Sequence, residues 1–242
     1  MNTETYQLTI NNLEVDIVRK AIKNLHLGVY PPHGRVRVAV PLRLSDDAVR
    51  LAVITRLPWI KRQQANFHAQ ARQSARQYLS GESHYYQGHR YLLNVIYHNA
   101  PPNVVIRNKK WLDLFVRTGS DNTQRERALL TWYRQQLKAI TAPLIQKWQA
   151  IIGVEVADWR IKRMKTKWGS CNIEKQRIWL NLELIKKPPH CLEYIIVHEL
   201  VHLLERHHNA RFTAYMTQFM PQWPFFRDEL NKAPLGHAEW DY

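Results

Sequence analysis

The sequence predicts an α+β chain, and three observations carry that reading. Residues 5 to 43 are dominated by short β-branched runs. A long stretch opening near Thr123 places large apolar residues at helical spacing. A nearly all-apolar segment, Tyr194 to Glu205, follows the helix-entry signal Pro188-Pro189. Hydrophobic residues make up 45% of the 242, enough for a globular core, and no low-complexity tract points to a disordered or fibrous chain. No internal repeat at a fixed period is expected.

The elements follow in order. Tyr6–Ile10 and Val15–Val18 read as strands, and Val36–Val40 alternates with the period of two of a half-buried strand, preceded by a turn at Pro31-Pro32-His33-Gly34. Ser45 is placed to cap a helix through Ala48, Leu51 and Ile54, with Asp46 and Asp47 in its first turn. Pro58 starts a further helical segment toward Tyr78, on which His68, Arg72 and Arg76 share a face. Strands return at Tyr91–Tyr97 and Trp111–Val116, with Asn108-Lys109-Lys110 as a hairpin connection. Thr123 and Glu126 match a capping box for the long helix, which ends near Gly153. Trp159–Met164 and Ile178–Leu182 read as strands flanking Trp168-Gly169-Ser170-Cys171. The expected division is a β-rich region over 1–122 and a metal-binding region over 123–242, joined without a flexible linker.

Composition narrows the function classes. The opening residues lack the basic end and apolar stretch of a secretory signal, and no apolar run approaches a membrane span. Two cysteines, Cys171 and Cys191, exclude a disulfide framework and a four-cysteine zinc site. A cytoplasmic protein with no membrane partner is the expectation. The formal charge of +15 makes a nucleotide or nucleic-acid partner possible, although no nucleic-acid fingerprint accompanies it.

The chemistry is carried by His198-Glu199-Leu200-Val201-His202. Residues four apart on a helix lie one above the other, so two imidazoles can grip one metal ion from one face. Glu199, rotated about 100° from His198, can flank an open coordination position and act as general base. The surrounding Ile195, Ile196, Leu200 and Leu203 make the helix apolar, where polar groups need partners.

His208 is the candidate third ligand. On a continuous helix it would sit about 15 Å from His198 along the axis, so the helix must stop near Glu205 or Arg206 and turn back. His207 and Asn209 belong to residue types that tolerate a left-handed backbone, and Asn209 can cap a following helix through Phe212, Met216 and Phe219, stopped by Pro221. Glu205, His207 and Glu229 remain rival ligands, with Glu205 better suited to orienting a ligand histidine. Three neutral histidines with an open fourth position describe a catalytic zinc site rather than a structural one.

From Arg163 to Leu230 the chain resembles the YgjP-like metallopeptidases, a zincin-related family. The matching pieces are Arg163-Met164-Lys165-Thr166-Lys167-Trp168-Gly169-Ser170-Cys171, Leu180-Asn181, His198-Glu199-Leu200-Val201-His202-Leu203 with Glu205 and His208, Phe212, and Pro221 with Trp223. The chain departs from that pattern at His207, Asn209 and Thr213. The resemblance implies a zincin-like C-terminal metallohydrolase core with a β-rich N-terminal half packed on it. It also implies Zn2+ held by His198, His202 and His208, Glu199 as base, and peptide or protein substrates. Gly169 is placed to let a substrate backbone approach, Cys171 reads as a small buried residue, and Tyr194 and Tyr215 are candidates for stabilising an oxyanion. Two other functions fit the same residues: hydrolysis of a nucleotide phosphoanhydride, as in a pyrophosphatase, and a non-catalytic nucleic-acid-associated zinc protein.

Overall fold

The computed structural model describes residues 4–30, 34–69, 76–164 and 167–232, without the side chains of 66–69 and 232. The architecture is α+β, with sheets dominating the N-terminal half and helices the C-terminal half. The chain divides into two compact units between Arg72 and Gln73.

The first unit holds β1 (Glu4–Ile10), β2 (Leu13–Lys20), β3 (His26–Tyr30) and β4 (Arg35–Pro41), then α1 (Asp46–Thr55) and α2 (Leu57–Ala69). β1 and β2 form a hairpin, β2 runs parallel to β4, and β3 pairs antiparallel with β4, in the order β1-β2-β4-β3. Asn11 and Asn12 close the hairpin with φ of 49° and 61°, a left-handed pair that asparagine tolerates and that matches strand twist. Val15, Ile17, Val36, Val38 and Val40 meet Val49, Val53 and Ile60 in a small separate core. Ser45 caps α1 as expected, accepting from Ala48 N at 3.3 Å. β3 is an addition to the sequence reading. The expected stripe of His68, Arg72 and Arg76 falls partly outside the described residues. Arg76 itself is not helical and donates to Ser83 O at 2.5 Å.

The second unit repeats that topology. β5 (Ser83–Tyr86), β6 (His89–Tyr97), β7 (Asn103–Arg107) and β8 (Trp111–Val116) lie in the order β5-β6-β8-β7 with the same senses of pairing. Its hairpin closes at Gln87 and Gly88, again with positive φ. As many residues separate Asn11 from the helix cap Ser45 as separate Gln87 from the helix cap Asp121. A four-strand unit is therefore present twice in the backbone although no repeat is legible in the residues. Alternation and a two-residue turn define the topology, and many side chains satisfy both.

The long helix α3 (Asn122–Ile152) starts earlier than expected. Its capping box is Asp121 with Gln124, Asp121 accepting from Gln124 N at 2.7 Å and Gln124 Oε1 from Asp121 N at 3.0 Å, in place of Thr123 with Glu126. Aspartate caps as well as threonine, and the earlier start leaves Glu126 to pair with Arg163 at 3.2 Å. Gly153 ends the helix at φ 76°, as expected. The division expected at residues 122 and 123 lies inside this unit. Leu129, Tyr133 and Leu137 of α3 share one core with Leu93, Leu112 and Leu114 of the sheet and with Leu180 and Ile196 beyond it.

A third sheet, β9 (Asp158–Lys162), β10 (Gly169–Asn172) and β11 (Arg177–Asn181), has the order β10-β11-β9 and puts β10 at an edge. Then come α4 (Pro189–Val201), α5 (Ala210–Phe219) and α6 (Trp223–Lys232). No described helix is long and apolar enough to cross a membrane.

Candidate metal centre

α4 is the buried axis of the site. Pro189 opens it, and Leu192, Ile196, Val197, Leu200 and Val201 bury it on nearly every side. The helix ends at Val201, with His202 as its C-cap, sooner than the expected stop at Glu205 or Arg206. Leu203 N and Leu204 N bond back to Leu200 O and Val201 O, so tight three-residue turns reverse the chain. No residue from 202 to 209 takes a positive φ, and the left-handed turn considered at His207 or Asn209 is not used. Asn209 instead caps α5, accepting from Phe212 N at 3.0 Å.

This reversal brings His208 back over α4. One ring nitrogen from each of His198, His202 and His208 lies within 4.8 Å of the other two. His208 Nε2 is 3.0 Å from His198 Nε2. Phe212, buried on α5, packs its ring against all three imidazoles at centroid distances of 4.7 to 5.0 Å. His202 Nδ1 contacts the Glu205 backbone oxygen at 3.1 Å, which leaves its Nε2 for the cluster. The Glu205 carboxylate accepts from His207 N at 3.1 Å, so Glu205 orients His202 through its backbone and not through its side chain. Burial, reinforced by the neighbouring imidazoles, pushes the pKa of His198 down to about 3, and burial lowers that of His202. Neutral imidazoles are the form that binds a metal.

These residues fit a divalent cation. Two imidazole nitrogens 3.0 Å apart cannot face each other as bare acceptors; a proton or a cation must lie between them. A tetrahedral zinc with bonds of about 2.0–2.1 Å separates its nitrogen ligands by about 3.3–3.4 Å, within a few tenths of an ångström of the His198–His208 separation of 3.0 Å. His198 Nδ1 and Glu199 Oε2 are buried without a hydrogen-bond partner.

Glu199 is 4% exposed, and burial pushes its carboxyl up to about 8, with Lys167 partly opposing. A Cβ on Gly169 would run into Glu199 Oε1 and meet its Cδ at 2.8 Å. Gly169 lines the cleft, and its missing side chain also leaves room for the Glu199 carboxylate. Sequence reasoning quoted Asn181 without a role. Fully buried, it donates to Met164 O and Lys167 O, both at 2.8 Å, and accepts from Glu183 N, which fixes the backbone leading into β10. No periodicity marks such a residue.

A cleft of about 900 Å³ opens over these groups, lined among others by Lys167, Trp168, Gly169, Cys171, Glu199 and Arg206. Cys171 is half-buried there, and burial with the Glu199 charge pushes its thiol up to about 12. Tyr194 and Tyr215 do not line the cleft. Tyr194 is buried in the core, and the Tyr215 hydroxyl accepts from Arg211 at 3.1 Å. Glu229 lies apart from the cluster, 2.6 Å from His190.

Among curated proteins none matches the chain. Two solved metallopeptidase zymogens are similar over part of it. Abylysin of Pyrococcus abyssi is 20% identical over 36% of this chain and 89% of its own, with a TM-score of 0.34. Jannalysin of Methanocaldococcus jannaschii is 21% identical over 38% and 92%, with the same TM-score. The family model described as YgjP-like, metallopeptidase domain, matches residues 23–233, and the chain belongs to that family.

Proposed function

We propose that this protein is a zinc-dependent peptidase in which His198, His202 and His208 hold the ion and Glu199 is the general base. The observation that carries the reading is the convergence of the three imidazoles beside a buried, unpartnered carboxylate oxygen. A bound divalent cation supplies Lewis acidity, polarising a carbonyl and acidifying water near neutral pH. Imidazole donors leave a choice among several transition metals, and three protein ligands with a fourth position for water in a tetrahedral arrangement favour zinc.

The chain's own groups do the rest. Glu199 takes a proton from the attacking water and passes it to the leaving amine. Its apolar surroundings keep it close to neutral in the free protein, and a nearby cation opposes that shift and favours the carboxylate. β10 has β11 on one side and no described strand on the other, and its residues line the cleft. An extended peptide can pair along that edge, using backbone bonds that are indifferent to side-chain identity. Phe212 holds the imidazoles in register, and Asn181 holds the entry to β10.

A second reading, phosphoanhydride hydrolysis, is favoured by Lys167 and Arg206 on the cleft wall, since phosphates need cationic partners. The test uses zinc-loaded protein with an unfolded protein substrate and, in parallel, a nucleoside triphosphate. Peptide cleavage that falls about 10²-fold or more in Glu199→Gln, at unchanged metal content, is expected. Unchanged turnover in that variant removes Glu199 from the mechanism, and cleavage of the triphosphate alone replaces the peptidase reading.

A further inference from the structure

The described residues contain a second group of metal-ligating side chains that the reaction does not use. His190 and Cys191 lie in the first turn of α4, and Glu229 lies on α6. One donor atom from each falls within 4.8 Å of the others. His190 Nε2 is 2.6 Å from Glu229 Oε2, and the Phe226 ring packs against the imidazole at 4.9 Å. Cys191 is 1% exposed and has no disulfide partner. His190 is about 12 Å along the helix axis from His198, at 1.5 Å per residue, too far for one ion to serve both groups.

We propose that His190, Cys191 and Glu229 form a second divalent-metal site that clamps α6 to the start of α4. An imidazole, a thiolate and a carboxylate together carry two negative charges, which a divalent ion neutralises. A thiolate among the donors selects zinc-like cations over magnesium or calcium. The His190–Glu229 pair must open by about 0.7 Å to take bonds of about 2.0–2.1 Å around a tetrahedral ion. Both side chains are more than a third exposed, at 38% and 36%, and have room to turn. Binding replaces the S–H bond of Cys191 with an S–metal bond and releases the proton to solvent. No electron changes hands. The ion joins the helix that carries the histidine cluster to the last described helix of the chain, with a fourth position left for water.

Cobalt(II) binding to the metal-free full-length chain tests this, because thiolate ligation adds a charge-transfer absorption that imidazole and carboxylate ligation lack. Two equivalents are expected, with the thiolate band present. The band should persist in Cys171→Ser and in the double variant His198→Ala/His202→Ala. It should vanish in Cys191→Ser. Glu229→Gln, altering a part-exposed side chain, should weaken the band-forming site at least tenfold and serves if Cys191→Ser fails to fold. Absence of the band, its loss in Cys171→Ser with survival in Cys191→Ser, or an unchanged titration in Glu229→Gln overturns the proposal. His190 and Glu229 are then an ion pair and nothing more.

Discussion

Gly169 and Glu199 compete for one space: the volume a side chain would fill on β10 is taken by the Glu199 carboxylate. The strand and the helix therefore constrain each other at the carboxylate proposed to move the proton. Gly169→Ala forces Glu199 to turn away. A displacement of about 1 Å at a catalytic group costs on the order of 10²-fold in rate. The expected result is a loss of that size in kcat with zinc content unchanged. Activity within twofold of the parent would show that Glu199 does not work from this position.

Asn209 carries His208 indirectly. It caps α5 one residue after His208 and so fixes where the third imidazole arrives. Asn209→Ala is expected to cost about 1 kcal/mol of stability through the lost cap. It should also weaken zinc binding about 10-fold, a common effect of removing a group that orients a ligand. Competition with a chromophoric chelator gives the affinity, and urea unfolding gives the stability.

Asn181→Ala removes the partner of two backbone carbonyls, Met164 O and Lys167 O, whose hydrogen bonds are part-buried. A buried group left unsatisfied costs roughly 1–3 kcal/mol, and because these two are only part-buried the low end of their sum, about 2 kcal/mol of destabilisation, is expected in denaturant unfolding. A loss under 0.5 kcal/mol, a change about the size of a neutral surface substitution, would show that the loop relaxes to solvent.

The histidine helix was legible because its information is local: a proline at the start, apolar residues on all sides, and two histidines one turn apart. His208 was reachable by geometry, since one ion cannot bridge 15 Å of helix. The place of the turn was not, because packing tightens the chain after Val201 without a glycine to mark it. β10 reads Gly169-Ser170-Cys171-Asn172, a poor strand former that exists by pairing with β11. β3 carries Gly28, and α6 carries Pro224 in its first turn; both are similarly fixed by tertiary contacts. The boundary between units escaped notice for a related reason. α3 reads in sequence as a packed helix joining two halves, and its apolar face completes the core of the sheet before it.

Asp113 and Arg107 give the fold a signature in acid. The Arg107 guanidinium, bonded to both Asp113 oxygens at 2.6 and 3.1 Å, holds that buried carboxyl below its ordinary value of 3.8. The folded state thus keeps the carboxylate at pH values where the unfolded chain takes up a proton. The stabilisation is full above about pH 3.8 and is lost as pH falls through the lower folded value. Unfolding of the parent and of Arg107→Gln, compared from pH 7 to pH 2, should show the parent's advantage shrinking toward the acid end. An advantage that grew in acid would contradict the sign of the shift.

The most direct measurement is the anomalous scattering of a crystal grown with one equivalent of zinc per chain, collected at the zinc absorption edge. The expected peak lies about 2.0–2.1 Å from one nitrogen of each of His198, His202 and His208, with the Glu199 carboxylate beside the fourth position. A peak held without His208, or no peak among these three rings, would contradict the assignment of the site.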